Sequence, residues 1–209
     1  MKLEIFEFFK NLLDPSNSEL KDECFDIFYS NVLPVFVKFL TTSKDAFTCG
    51  LVLEILIVCI QSHGCRFKHY IIRNGIFKQL LPLFSTYNKA LKLGMVRLLK
   101  ALVSLNDEVM HMYIVKHDLL AQVFIYLKNN RKENMMLSAC LDLLSQIVTK
   151  EMQRLIIYIM TKHNDFILND IHPLIRKIKY KYDLTSSLDK ILKRENILPK
   201  KTMRPYKKN

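Results

Sequence analysis

Glycine is scarce in this sequence, with only 4 among 209 residues. β-rich and loop-rich folds need glycine at their turns, so the scarcity argues against both. The five cysteines, Cys24, Cys49, Cys59, Cys65 and Cys140, are odd in number, form no CxxC pair and mostly sit in apolar runs. They read as reduced, buried thiols of a cytosolic or nuclear protein, not as a disulfide framework. The N-terminus, Met1-Lys2-Leu3-Glu4, has an early acid and no small-residue cleavage site, which argues against a secretory signal. The most apolar run, Leu51 to Ile60, is too short to span a bilayer and carries Glu54, so no membrane is expected. HExxH, GxSxG and phosphate-cradling glycine loops are missing as well. The sequence therefore offers no catalytic constellation, no cofactor site and no small-molecule substrate site.

What is present favours helices. Half the residues are apolar (50%) and a quarter charged (25%), which is too apolar for disorder and enough for a core. The net charge of +12 is uneven: from Asp170 to Asn209 there are 12 Lys/Arg against 4 Asp/Glu, leaving +4 on residues 1–169. A basic end on a nearly balanced body suggests an interaction tail.

Apolar residues recur at helical spacing along most of the chain. Leu3, Phe6, Phe9 and Leu13 form a first stripe that stops at Asp14-Pro15. Ser16 and Glu19 have capping-box spacing and open a helix carrying Leu20, Cys24, Ile27 and Phe28. Asn31 to Leu40 is expected as a third helix with Pro34 in its first turn. A long helix should run from Asp45 to His63, with Gly64 as its stop.

The next residues reveal a repeat. Phe67 to Phe77 aligns with Met110 to Leu120 at an offset of 43, setting Tyr70 on Tyr113 and Arg73 on Lys116. Each copy predicts a short helix, a tight break and a second helix, Ile76–Phe84 in one and Leu119–Leu127 in the other. A long amphipathic helix follows each time: Ala90, Leu91, Gly94, Leu98, Leu99, Leu102 and Val103 align with Met135, Met136, Ala139, Leu143, Leu144, Ile147 and Val148 at an offset of 45. A fainter third copy begins near Met152. Short, medium and long helices at this period are the pattern of an all-α, armadillo/HEAT-like α-solenoid of short helical repeats. One unit cannot bury its apolar face alone, and stacked units share a core and leave a long groove suited to proteins and peptides. The repeat domain is expected over residues 1–183. Residues 184–209 should be a short helix, around Ser187 to Glu195, and a basic, disordered tail.

Several residue groups invite sharper readings. Cys59, His63, Cys65 and His69 have zinc-like spacing, but a break at Gly64 would point them in different directions, so buried thiols and surface histidines are preferred. Cys140 lies among Met136, Ala139 and Leu143, a core environment and not a reactive one. Arg176, Lys177, Lys179 and Lys181 alternate with Ile178, Tyr180 and Tyr182. This could contact phosphates, but the solvated face of a final capping helix explains it better, so nucleic acid is disfavoured. Lys200, Lys201, Arg204, Lys207 and Lys208 resemble a nuclear-import signal. Asp107 and Glu108 suit a helix N-terminus and could equally present charge to a partner. Tyr70 and Tyr113 read as core packing.

Together these stretches resemble the helical-repeat region of regulatory subunit 3 of protein phosphatase 4, the SMEK/Psy2/Falafel family. The carrying segments are LLDP at Leu12–Pro15, Phe28-Tyr29, Gly50 to Leu81, Leu105 to Leu120, and Asn129 to Ile147, in family order and at similar spacing. The resemblance covers residues 10 to 183. It implies a non-catalytic subunit that joins a protein phosphatase 4-like catalytic subunit and a second regulatory subunit. It also implies that the complex is directed to nuclear and other substrates, with nuclear and cytoplasmic localisation. Family members begin with a pleckstrin-homology/EVH1-like domain that reads short proline-containing motifs. Nothing β-rich precedes the helices here, the first repeats are missing, and a short basic tail replaces the family's acidic one. A fragment, a truncated gene model or a minimal version is expected, with an exposed apolar N-terminal face. Motif reading through the N-terminal domain is therefore not carried over. Among matched positions, Asp107, Glu108, Asn130 and Asn134 are the candidate partner contacts.

Overall fold

The computed structural model describes residues 2–14, 22–86, 88–130, 134–163 and 176–184. None of the described residues is in a strand, and up to residue 163 they form eleven α-helices. These are α1 (Lys2–Leu12), α2 (Asp22–Ile27), α3 (Leu33–Thr42), α4 (Ala46–Ser62), α5 (Gly64–Asn74), α6 (Ile76–Leu80), α7 (Lys89–Ser104), α8 (Glu108–Lys116), α9 (Ala121–Asn129), α10 (Met135–Thr149) and α11 (Gln153–Lys162). Residues 176–184 are helical too. The Ser16/Glu19 capping box, the helix around Ser187 to Glu195 and the basic residues Lys200, Lys201, Arg204, Lys207 and Lys208 lie outside the described residues.

The helices fall into three-helix units, α2–α4, α5–α7 and α8–α10, and like packs on like. The long helix α4 lies against α7, and α7 against α10; α1 packs on α4, α3 on α6, and α8 on α11. Each long helix begins at a polar cap. The Asp45 carboxylate accepts from the Thr48 N–H, Asn88 from Ala90 and Leu91, and Asn134 from Leu137. Capping of this kind contributes about 1 kcal/mol per helix. The shared core runs along Leu53, Leu56 and Ile60 of α4, Met95, Leu99 and Leu102 of α7, and Cys140, Leu143 and Leu144 of α10, all buried. Burying a side chain of this size contributes about 1.5–3 kcal/mol. Gly94 sets the closest approach: a Cβ there would stand 2.8 Å from Leu53 Cδ1.

The break between the first two helices of a unit is where sequence decides geometry. Gly75 ends α5 with φ 59°, and Asp118, which follows α8, has φ 52°. Both turn the chain left-handed. The equivalent position in the first unit is Val32, a β-branched residue for which that conformation is strongly disfavoured, and it stays right-handed at φ −86°, ψ −48°. No break forms there. α2 and α3 become one continuous helix, joined by a π-helical segment, Phe28–Val32, just ahead of Pro34. A wide turn of this type accommodates a helix that must pass a proline without a donor N–H. Two helices expected from sequence are thus one. By length and apolar composition this Asp22–Thr42 helix is the one among the described residues that could cross a membrane. Here its Phe28, Tyr29, Leu33, Val37 and Leu40 are packed into the core.

Three further expectations shift. Gly64 is the first residue of α5, and the chain bends instead at His63 (φ −120°, ψ 40°). Cys24 and Ile27, placed on the apolar stripe by periodicity, are exposed, as is Cys65. α6 is shorter than expected, because Pro82 draws Leu81–Ser85 into a 3₁₀ turn. α1 leaves Leu3, Ile5 and Phe8 exposed.

Candidate functional site

The exposed face of the long helices is laced by polar contacts one unit apart. Glu54 of α4 takes a two-pronged pair from Arg97 of α7, with Nη2 to Oε2 at 3.3 Å. Lys100 of α7 pairs with Asp142 of α10. Gln146 Nε2 donates to Ser104 Oγ at 2.6 Å, and Lys150 Nζ donates to the Ser104 carbonyl at 3.2 Å. A shallow depression of about 310 Å³ lies between these rungs, lined by Ile57, Arg97, Lys100 and Asp142 among others. Exposed pairs of this kind stabilise by about 1 kcal/mol or less. Their alternating charges give the face a fixed pattern that a partner can read.

Three more depressions open between successive units. One of about 570 Å³ lies between α2–α3 and α5 and includes Arg66, His69, Tyr70 and Arg73. Arg66 is tied down within it, paired with Asp22 at 3.0 Å and Asp26 at 3.2 Å and set over the Phe25 ring at 5.6 Å. Another, about 630 Å³, lies where α8 and α11 begin and includes Glu108, His111, Lys150 and Arg154. His111 is buried there with Nε2 unpartnered. Burial pulls its pKa down, against the opposing pull of Glu108. The last, about 560 Å³, is lined by Leu93, Tyr126, Met135, Lys89 and Lys92 among others.

Asp107, Glu108, Asn130 and Asn134 each hold an intrachain position. Asp107 caps α8, accepting from the Met110 N–H at 3.0 Å, and takes Lys68 Nζ at 2.9 Å. That ammonium holds its carboxyl below the usual range. Glu108 pairs with Arg154 and lies 3.5 Å from His111 Nδ1. Asn134 caps α10 and accepts from the Tyr126 hydroxyl at 3.0 Å; Asn130 Nδ2 donates to the Tyr126 carbonyl at 3.0 Å. Asn130 and Asn134 come together at one depression, whereas Asp107 and Glu108 lie elsewhere. Tyr113 is buried against His117, with ring centroids 4.5 Å apart, and Tyr70 is half-buried and stacked on Phe67.

The zinc-spaced residues diverge. Cys59 is buried, His63 meets Tyr29 Oη at 3.1 Å, and Cys65 and His69 are on the exposed side of α5. No group of three metal-ligating side chains occurs among the described residues. Burial pushes the Cys59 and Cys140 thiols up to about 12, far from a reactive thiolate. In the helix 176–184, Ile178 is buried, Tyr182 packs on the core and Lys181 pairs with Glu151, so this face serves the fold. Arg176, Lys177, Lys179 and Tyr180 are exposed.

A profile of the family Phosphatase 4 regulatory subunit 3 matches residues 1–184, most of the chain and all of the units described. The chain belongs to that family. Its members are regulatory, non-catalytic subunits. Serine/threonine-protein phosphatase 4 regulatory subunit 3 of Drosophila melanogaster is 33% identical over 110 residues, covering 52% of this chain and 11% of that protein. Mouse protein PPP4R3C1 is 30% identical over 140 residues, 62% of this chain and 17% of the relative. Suppressor of Mek1 of Dictyostelium discoideum is 24% identical over 192 residues, 79% of this chain and 18% of the relative. The chain thus matches between a tenth and a fifth of the length of these relatives. No solved structure gives a significant match.

Sequence reasoning missed the depression that joins Lys89, Lys92, Leu93 and Met135. One signal was legible: two lysines in the first turn of α7, where a helix N-terminus prefers acids.

Proposed function

We propose that this chain is an armadillo/HEAT-like α-solenoid scaffold in a protein phosphatase 4-like holoenzyme. It would act by holding a serine/threonine phosphatase catalytic subunit and a second regulatory subunit. The observation that carries the reading is the family match across residues 1–184, coincident with helices that stack unit on unit. Stacks of this kind present an extended face without catalytic groups of their own, and here that face is the charged one on α4, α7 and α10. Hydrolysis then belongs to the partner. The chain would work in the nucleus and the cytoplasm, with Lys200, Lys201, Arg204, Lys207 and Lys208 as the import element.

The test is affinity purification of the tagged chain from its native cells under gentle lysis, with mass spectrometry of what is recovered. A phosphatase 4-like catalytic subunit in stoichiometric amount supports the scaffold reading. Another protein in that position would replace it with a helical-repeat adaptor for a different partner. Deleting residues 200–209 from a fluorescent fusion tests localisation: an unchanged nuclear fraction removes the import role.

A further inference from the structure

The depression between the N-terminal ends of α7 and α10 and the C-terminal end of α9 differs in chemistry from the others. Its floor and walls are apolar: Leu93, Met135, Met136 and the Tyr126 ring enclose about 560 Å³, within the range of ligand pockets. Met135 is 73% exposed, the most exposed large apolar residue described. An unbranched, polarisable side chain at the mouth of a pocket adapts to the shape of an incoming apolar group.

The rim is cationic. Among the described lining residues Lys89 and Lys92 are the charged ones, and neither ammonium has an ion-pair partner among the described residues. Both lie in the first turn and a half of α7, which has no acid there. The helix N-terminus carries partial positive charge, so two lysines beside it are mutually unfavourable until an anion arrives. The N-terminus of α10 opens on the same depression at Asn134 and Met135. Ammonium groups and helix ends thus add to one positive field around an apolar hollow.

The walls are also pinned. The Tyr126 hydroxyl donates to Asn134 Oδ1 at 3.0 Å, Asn134 Oδ1 accepts from the Leu137 N–H at 2.8 Å, and Asn130 Nδ2 holds the Tyr126 carbonyl. Side chains ordered before binding lose little freedom on binding.

We propose that this pocket docks a short acidic protein segment through one large apolar side chain. The apolar group would sit among Leu93, Tyr126 and Met135, and its acidic neighbours would meet Lys89 and Lys92. Charge rules out the chain's own basic end, from Lys200 to Lys208, as the occupant. A nucleic-acid duplex would leave the apolar floor unused, since its bases are stacked within the helix. The inference goes beyond the phosphatase reading and stands apart from it, since a purification that recovered no phosphatase would leave it intact.

The test uses the full chain and fluorescence anisotropy with labelled acidic peptides, each a run of Asp and Glu interrupted by Leu, Met, Phe or Trp, and an otherwise identical peptide with Ala. At least one large-residue peptide should bind, and the Ala peptide should bind roughly tenfold more weakly or worse. Met135→Glu and Lys92→Glu alter exposed or rim side chains without touching the core, and each should weaken binding by a similar factor. Lys10→Glu, exposed near the C-terminal end of α1, a helix that packs on α4, should leave binding unchanged. Added salt should weaken the interaction without abolishing it, because the apolar part is not screened. The proposal is overturned if no peptide of the panel binds, if the Ala peptide binds equally well, or if Met135→Glu and Lys92→Glu bind as the unaltered chain does.

Discussion

Gly75 and Asp118 hold the same place in successive units, and both turn the backbone left-handed, at φ 59° and 52°. A Cβ at Gly75 would meet nothing within 4 Å, so it is conformation and not space that favours glycine there. Gly75→Ala should therefore cost about 1–2 kcal/mol in denaturant unfolding. Gly75→Asn should cost distinctly less, since asparagine tolerates this region. Equal stabilities for the two variants would show that the break can relax into a right-handed form, as it does at Val32.

Asp118 does more than turn the chain. Its carboxylate accepts from the Tyr158 hydroxyl and meets Lys162 Nζ at 2.8 Å and His163 Nε2 at 3.3 Å, tying α11 to the start of α9. Burial would raise its pKa, but the Lys162 and Tyr158 contacts outweigh burial and the net shift is downward. Asp118→Gly keeps the backbone conformation and removes the carboxylate. It should cost about 1–2 kcal/mol, with amide exchange quickening first in α11. Exchange that quickens evenly over the whole chain would argue against a local tie.

Acid should weaken the protein beginning just below neutral pH. His63, His111 and His163 all have pKa values lowered, chiefly by burial. A histidine held neutral in the fold binds a proton more readily once unfolded. Its contribution is complete above the ordinary histidine pKa of about 6.5 and is lost as pH falls through that value toward the folded one. Melting temperature should fall between pH 7.5 and 5.5, and His111→Gln should flatten part of the slope. A melting temperature that is constant over that interval would contradict the burial of these rings.

Thiol chemistry should divide the cysteines. Cys24 and Cys65 are exposed, while Cys49, Cys59 and Cys140 are buried. A thiol reagent at mildly alkaline pH should modify Cys24 and Cys65 rapidly, and the other three only after denaturation. Fast reaction at Cys59 or Cys140 would mean that the long-helix core opens readily.

The repeat was legible because its determinants are local. The Tyr70/Tyr113 register, the break after Asn74 and the stripes of α7 and α10 follow from side-chain period and from the residue at each turn. The first unit was missed because Val32 replaces the turn residue and lets the helix run on. No pattern of apolar spacing reports that. Asp107, Asn130 and Asn134 looked like exposed contacts because sequence shows a polar side chain but not the N–H or hydroxyl it serves. The pocket at Leu93 and Met135 joins residues one unit apart, and its shape exists only once the units stack.

Each polar side-chain link between units named above spans 46 residues or fewer. Folding can therefore start in any neighbouring pair of units and spread outward, without first closing a long loop. The same locality makes length adjustable: inserting or deleting a whole block of helices disturbs two junctions and leaves the remaining ones unaltered, so relatives of very different reach can share one set of contacts.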